Sequence, residues 1–96
     1  MKPRPKFYVT CDILVFSGRR ILLIRRRRAP FRGRWALPGG FIEEHETLEE
    51  SARRELREET GLDGVELRQL RAYGDPGRDP RGRTIAVAFK AVVDAA

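Results

Sequence analysis

Apolar and polar residues alternate with a period of two from Phe7 to Phe16, with Val9, Cys11, Ile13 and Val15 on one side and Tyr8, Thr10, Asp12 and Leu14 on the other. That spacing predicts a strand. Ser17-Gly18-Arg19 supplies a tight turn, and Arg20–Arg26, carrying Ile21, Leu22, Leu23 and Ile24, predicts a mostly buried return strand. The period changes after a loop at Ala29–Arg34 and the residue Trp35, which reads as a packing anchor beside the glycine turn that follows. Leu48, Ala52 and Leu56 recur every four residues and predict an amphipathic helix over about Thr47–Thr60. Thr47 and Glu50 form a T-x-x-E capping box at its start, and Gly61 with Leu62 supplies the stop. Val65–Tyr73 and Thr84–Val93 read as further strands, separated by the loop Gly74–Arg83. The order strand, strand, loop, helix, strand, loop, strand is an α+β arrangement with a mixed or antiparallel sheet.

The acids of the helix carry its chemistry. Glu55, Glu58 and Glu59 stand at i, i+3 and i+4, which places them within an arc of roughly 100°. Relative to the stripe of Leu48, Ala52 and Leu56, Glu59 falls about 20° from the centre and Glu55 about 60°. Two acids therefore lean toward the interior, where an uncompensated charge is costly. A hard divalent cation would offset their repulsion. Just ahead, Leu37-Pro38-Gly39-Gly40 supplies a turn whose backbone can approach a metal or phosphate closely.

Composition narrows the setting. The 96 residues allow one domain with a modest core, and 41% hydrophobic content with regular alternation indicates a folded chain. No apolar run approaches the ~18 residues of a membrane span, and no signal-peptide pattern is visible. Cys11 is the single cysteine, so no intrachain disulfide can form; it reads as a small core residue in a reducing, cytoplasmic compartment. The formal charge of +6 is uneven: residues 25–28 are four consecutive arginines, Arg71, Arg78, Arg81 and Arg83 cluster later, and the acids concentrate in 43–59. A basic balance suits polyanions, pyrophosphates included. No aromatic-interleaved basic stripe or helix-turn-helix pattern supports direct nucleic-acid recognition. If Arg25–Arg28 close a strand, alternate members face opposite sides, and the run reads equally as a solvated strand end or as the source of one phosphate contact.

The segment Gly40–Leu62 resembles the signature of the Nudix hydrolases, G-x5-E-x7-R-E-U-x-E-E-x-G-U with U apolar. Gly40, Glu46, Arg54, Glu55, Leu56, Glu58, Glu59, Gly61 and Leu62 fill every specified position. The run Gly33–Gly40 also resembles the family's approach to its motif. The resemblance implies a Nudix-like α/β/α sandwich with a mixed sheet. It also implies a single domain over residues 1–96, cut short before the C-terminal helix that covers the second sheet face. An uncovered face would expose an apolar patch built from alternate residues of Phe7–Phe16 and Thr84–Val93, and the expectation is a homodimer or an exchanged segment, or else poor solubility of the isolated chain.

The activity implied is hydrolysis of the pyrophosphate bond in a nucleoside diphosphate linked to another moiety, with Mg²⁺ or Mn²⁺. By that resemblance Glu58 and Glu59 match the metal-binding pair, Glu55 is a further ligand or the base that activates water, and the Gly39 carbonyl is an additional ligand. Arg54 cannot be a base and would hold a neighbouring carboxylate, with Glu46 as its partner. Glu43, Glu44, Glu49, Glu50 and His45 read as solvated. The loop Asp75–Arg83 resembles that of the ADP-ribose pyrophosphatase branch, with Pro76 fifteen residues after Gly61. ADP-ribose, giving AMP and ribose 5-phosphate, is the substrate expected, with Arg25, Arg27, Arg78 and Arg81 as substrate-binding candidates. The alternatives are removal of oxidised nucleoside triphosphates and a non-catalytic module that senses ADP-ribose-type ligands.

Overall fold

The computed structural model describes residues 3–94. Its long first strand, β1 (Tyr8–Ser17), runs parallel to β7 (Thr84–Val92) along nearly its whole length, from Tyr8 opposite Thr84 to Phe16 opposite Val92. The other edge of β1 takes two short antiparallel partners, β2 (Arg20–Ile21) at one end and β5 (Gly39–Phe41) at the other. The far edge of β7 pairs antiparallel with β6 (Arg68–Tyr73). The sheet is therefore mixed, one of the two arrangements that the element order allowed. A separate two-stranded ribbon joins β3 (Ile24–Arg25) to β4 (Trp35–Ala36).

The single helix among the described residues, α1 (Leu48–Thr60), begins one residue after its predicted start. Both halves of the capping box form: the Thr47 hydroxyl accepts from the Glu50 N–H at 3.1 Å, and the Glu50 carboxylate accepts from the Thr47 N–H at 2.9 Å. Gly61, at φ 79°, takes the left-handed conformation that ends the helix and donates to the Arg57 carbonyl. Ser51, Ala52 and Leu56 of α1 are buried. Ala52 and Leu56 pack with Cys11, Ile13, Val15, Leu67, Val87, Phe89 and Ala91, the inward positions of β1 and β7. Cys11 is wholly buried, as expected, and burial pushes its thiol up to about 11.

Three expectations change. The return strand is split, because the chain leaves β1 after Leu22, whose N–H still donates to the Val15 carbonyl, and re-forms as the ribbon at Ile24. The turn at Leu37–Gly40 is in part a strand: β5 satisfies the free edge of β1, and only glycine fits at 39, where a Cβ would lie 2.0 Å from the Cys11 carbonyl oxygen. Trp35 is not a packing anchor. It is 63% exposed, because its ribbon stands off the main sheet, and its ring faces the Arg25 guanidinium at 5.2 Å.

The second face of the sheet is also less open than an uncovered face would be. Thr10, Thr84, Ala86 and Ala88 are buried there. The loop between β6 and β7 comes over it, with the Cβ position of Gly82 3.6 Å from the Tyr8 ring and the Arg81 guanidinium 4.6 Å from the centre of the Phe41 ring. Tyr8 and Val92, at the ends, stay exposed, so the apolar patch is interrupted. Among the described residues no helix is long and apolar enough to cross a membrane.

Leu56, 1% exposed at the centre of the helix–sheet contact, gives the simplest check on this core. Leu56→Ala is expected to cost about 2–5 kcal/mol, and Thr47→Ala about 1 kcal/mol. Urea unfolding monitored by circular dichroism measures both.

Candidate active site

The site forms where the edge strand β5 passes the C-terminal half of α1. The main chain comes very close to the helix here. A Cβ on Gly40 would sit 2.8 Å from the Glu55 carboxylate, so glycine leaves the room that this side chain fills. The Gly39 N–H donates to Glu59 Oε2 at 3.1 Å. Glu55 and Glu59, one turn apart, hydrogen-bond to each other. Burial first, and then the bond to Glu55, pushes the Glu59 carboxyl up to about 7, with the Gly39 N–H and the Arg26 charge pulling the other way. Glu58 stands at the outer edge, its side chain 57% exposed.

Arg54 organises the acids. Its Nε donates to Glu46 Oε2 at 2.8 Å and Oε1 at 3.1 Å, Nη1 donates to Glu55 Oε1 at 2.8 Å and Glu58 Oε2 at 3.3 Å, and Nη2 donates to the Phe41 carbonyl at 3.3 Å. These bonds, that to Glu46 foremost, raise the guanidinium further above its ordinary value, and the same pairing lowers the Glu46 carboxyl. The expected Arg54–Glu46 partnership is therefore present. Pattern reading missed Ser51, whose fully buried hydroxyl donates to Glu46 Oε1 at 2.6 Å and accepts from the Glu43 N–H at 3.4 Å. Its signal was available: a lone serine beside Ala52 on the buried side of α1 needs polar partners.

These groups line a cleft of about 600 Å³. Its lining includes Gly39, Gly40, Glu43, Glu55, Glu58 and Glu59 together with Arg25, Arg26, Arg27, Arg28 and Arg81. The four consecutive arginines do not alternate in and out as a strand would require. The strand ends at Arg25, and Arg26 closes the ribbon through its N–H to the Arg34 carbonyl and its Nε to the Pro30 carbonyl. Arg81 reaches the cleft, whereas Arg78 is not among the lining residues; its Nη2 donates to the Thr84 carbonyl at 3.5 Å. The solvated reading holds for His45 and Glu44, which are exposed.

Whether these residues suit a divalent cation is decided by the acids themselves. Among the described residues no three His, Cys, Asp or Glu side chains close into a finished ligand cage. They line an open cleft instead, as Mg²⁺ favours, since it keeps several waters and takes only a few protein oxygens. The raised Glu59 carboxyl marks the demand, since burial and its neighbour Glu55 disfavour a charge there and positive charge would favour it. The donor set fits a hard cation.

The same shift gives a pH signature without metal. The folded-state value of Glu59 lies above the ordinary 4.5, so its contribution to stability is complete below about 4.5 and is lost as pH rises through about 7. Asp12, also raised by burial, adds in the same direction. In chelator, urea unfolding between pH 5 and 8 is expected to show stability falling with pH, and Glu59→Gln to flatten the slope.

Comparison with known proteins agrees with this geometry. The family model described as NUDIX domain matches residues 6–96. An ADP-ribose pyrophosphatase of Methanocaldococcus jannaschii is 47% identical over 81 residues, covering 84% of this chain and 48% of the relative. The ADPR responsive transcriptional repressor NtrR of Acinetobacter baylyi is 40% identical over 96 residues, covering 94% of this chain and 38% of the relative. The chain thus spans half or less of the length of these two relatives. Among solved structures, the NUDIX domain of Shewanella oneidensis NrtR complexed with ADP ribose superposes with a TM-score of 0.88 at 33% identity, covering 97% of this chain and 64% of that one. With the family model running through nearly every residue and the motif acids gathered in one cleft, this chain belongs to the Nudix family.

Proposed function

We propose that the chain hydrolyses the pyrophosphate bond of a nucleoside diphosphate linked to another moiety, and that ADP-ribose, giving AMP and ribose 5-phosphate, is its substrate. The observation that carries this reading is the meeting of opposite charges in one cleft, which four glutamates and five arginines line. A diphosphate bridged to a cation satisfies both sets of charge at once.

Glu55, Glu58, Glu59 and the Gly39 carbonyl would hold Mg²⁺ or Mn²⁺. When bound, the ion supplies neutralisation of the diphosphate charge and a water of lowered pKa. Water attacks one phosphorus, the bond from that phosphorus to the bridging oxygen breaks, and the departing phosphate leaves on that oxygen. Arg54 positions Glu55, which serves as a ligand or as the acceptor of the attacking water's proton. Arg25, Arg27 and Arg81 contact the phosphates and ribose. Arg78, outside the lining and bound to the Thr84 carbonyl, braces the loop instead.

A second reading, ligand sensing without turnover, is supported by the likeness to a protein named an ADPR responsive transcriptional repressor and to a NUDIX domain complexed with ADP ribose. Retention of all three acids favours catalysis. Turnover decides between the readings: with millimolar Mg²⁺ the chain is expected to release AMP from ADP-ribose faster than nucleoside monophosphate from a panel of oxidised nucleoside triphosphates. Glu58→Gln and Glu59→Gln are each expected to lower kcat by about a hundredfold or more. Binding of ADP-ribose with no AMP release would establish the sensor, and full activity in excess chelator would overturn the metal-dependent reading.

A further inference from the structure

Arg81 reaches the cleft from the loop between β6 and β7, and its side chain is fixed before any ligand arrives. Asp79 accepts from Arg81 Nε at 3.0 and 3.3 Å and from Nη2 at 2.7 Å, and its Oδ1 also accepts from the Arg81 N–H at 2.9 Å. The guanidinium stacks on Phe41, 4.6 Å from the ring centre. Phe41 is the last residue of β5 and directly follows Gly39 and Gly40, so the stack ties the loop to the strand that borders the acids. The Asp79 side chain is only 10% exposed, and the bonds from Arg81 hold its carboxyl down at about 2. The loop itself is braced: Arg78 holds the Thr84 carbonyl, Arg83 Nη2 donates to the Gly74 carbonyl at 2.9 Å, and the Thr84 hydroxyl donates to the Gly82 carbonyl at 3.1 Å.

An arginine carries five N–H donors in a planar fork. Asp79 takes the Nε and Nη2 edge and Phe41 takes a face, which leaves Nη1 with no hydrogen-bond partner among the described residues. We propose that Asp79 is a positioning residue, which holds Arg81 with its Nη1 edge presented to a phosphate oxygen of the bound diphosphate. A side chain already ordered by a carboxylate and a ring loses little freedom on binding, so its charge-assisted bond is expressed in affinity. The proposal rests on the reading of the cleft as a diphosphate site.

A double-mutant cycle tests it, with KM and kcat for ADP-ribose in Mg²⁺ and thermal unfolding measured for Asp79→Asn, Arg81→Ala and the pair. Each single substitution is expected to raise KM about tenfold, with a smaller change in kcat, and the double to be no worse than Arg81→Ala alone. Arg81→Lys, which keeps the charge without the fork, is expected to behave like Arg81→Ala. An unchanged KM in Asp79→Asn, losses that multiply in the double, or a KM change that merely follows loss of folded protein overturns the proposal. Failure of the unsubstituted chain to turn over ADP-ribose overturns the substrate and not the clamp. The cycle is then read from the Kd of inorganic pyrophosphate, and absence of pyrophosphate binding overturns both.

Discussion

Glu55 and Glu59 are brought together one helical turn apart, in a partly desolvated space against the Gly39–Gly40 backbone, and their mutual repulsion shapes everything around them. Like charges so placed destabilise a helix even in water, and more when water is withdrawn. The surroundings relieve part of this. Arg54 donates to Glu55, the Gly39 N–H donates to Glu59, and a shared hydrogen bond joins the two acids. The residual demand appears as a carboxyl pushed up to about 7. A helix evolved only to pack would place Leu or Ala here. Retaining the acids leaves a place that holds a proton more tightly than an ordinary carboxyl does and that suits positive charge.

The rest of the fold serves that arrangement. Gly40 has no side chain because Glu55 occupies the space one would take, and Gly39 has none because β5 lies directly against the Cys11 carbonyl. Ser51 and Arg54 grip Glu46 and so hold the segment between β5 and α1, while Ala52 and Leu56 fix the helix to the sheet. Positive charge arrives from two separate directions, the ribbon at Arg25–Arg28 and the loop at Arg81. The cleft thereby gathers charges of both signs from elements distant in sequence.

Much of this was legible in the chain because it is local. The capping box, the helix stop at Gly61 and the inward lean of Glu59 all follow from spacing within a few turns, and the structure bears each of them out. The Glu46–Arg54 pair was legible from the same segment. What escaped depends on distant partners. Trp35 reads as core by its size, but whether it packs depends on where the ribbon stands, and the ribbon leaves the sheet. Gly39–Phe41 reads as a turn until the free edge of β1 is known to need a partner. The Asp79–Arg81 pair is only two residues apart, yet its importance comes from Phe41 and the cleft beyond. The second face looked bare from the helix count, but a loop with no regular structure lies over it.

Proton release on metal binding tests the central claim most directly, since a cation that relieves the Glu55–Glu59 pair must displace the proton held there. Mg²⁺ titrated calorimetrically near pH 6, in buffers of different ionisation enthalpy, is expected to release about one proton per ion bound. The release should fade toward pH 8.5 and vanish in Glu59→Gln. Mg²⁺ that binds near pH 6 without releasing a proton, or releases the same number from Glu59→Gln, would contradict the account.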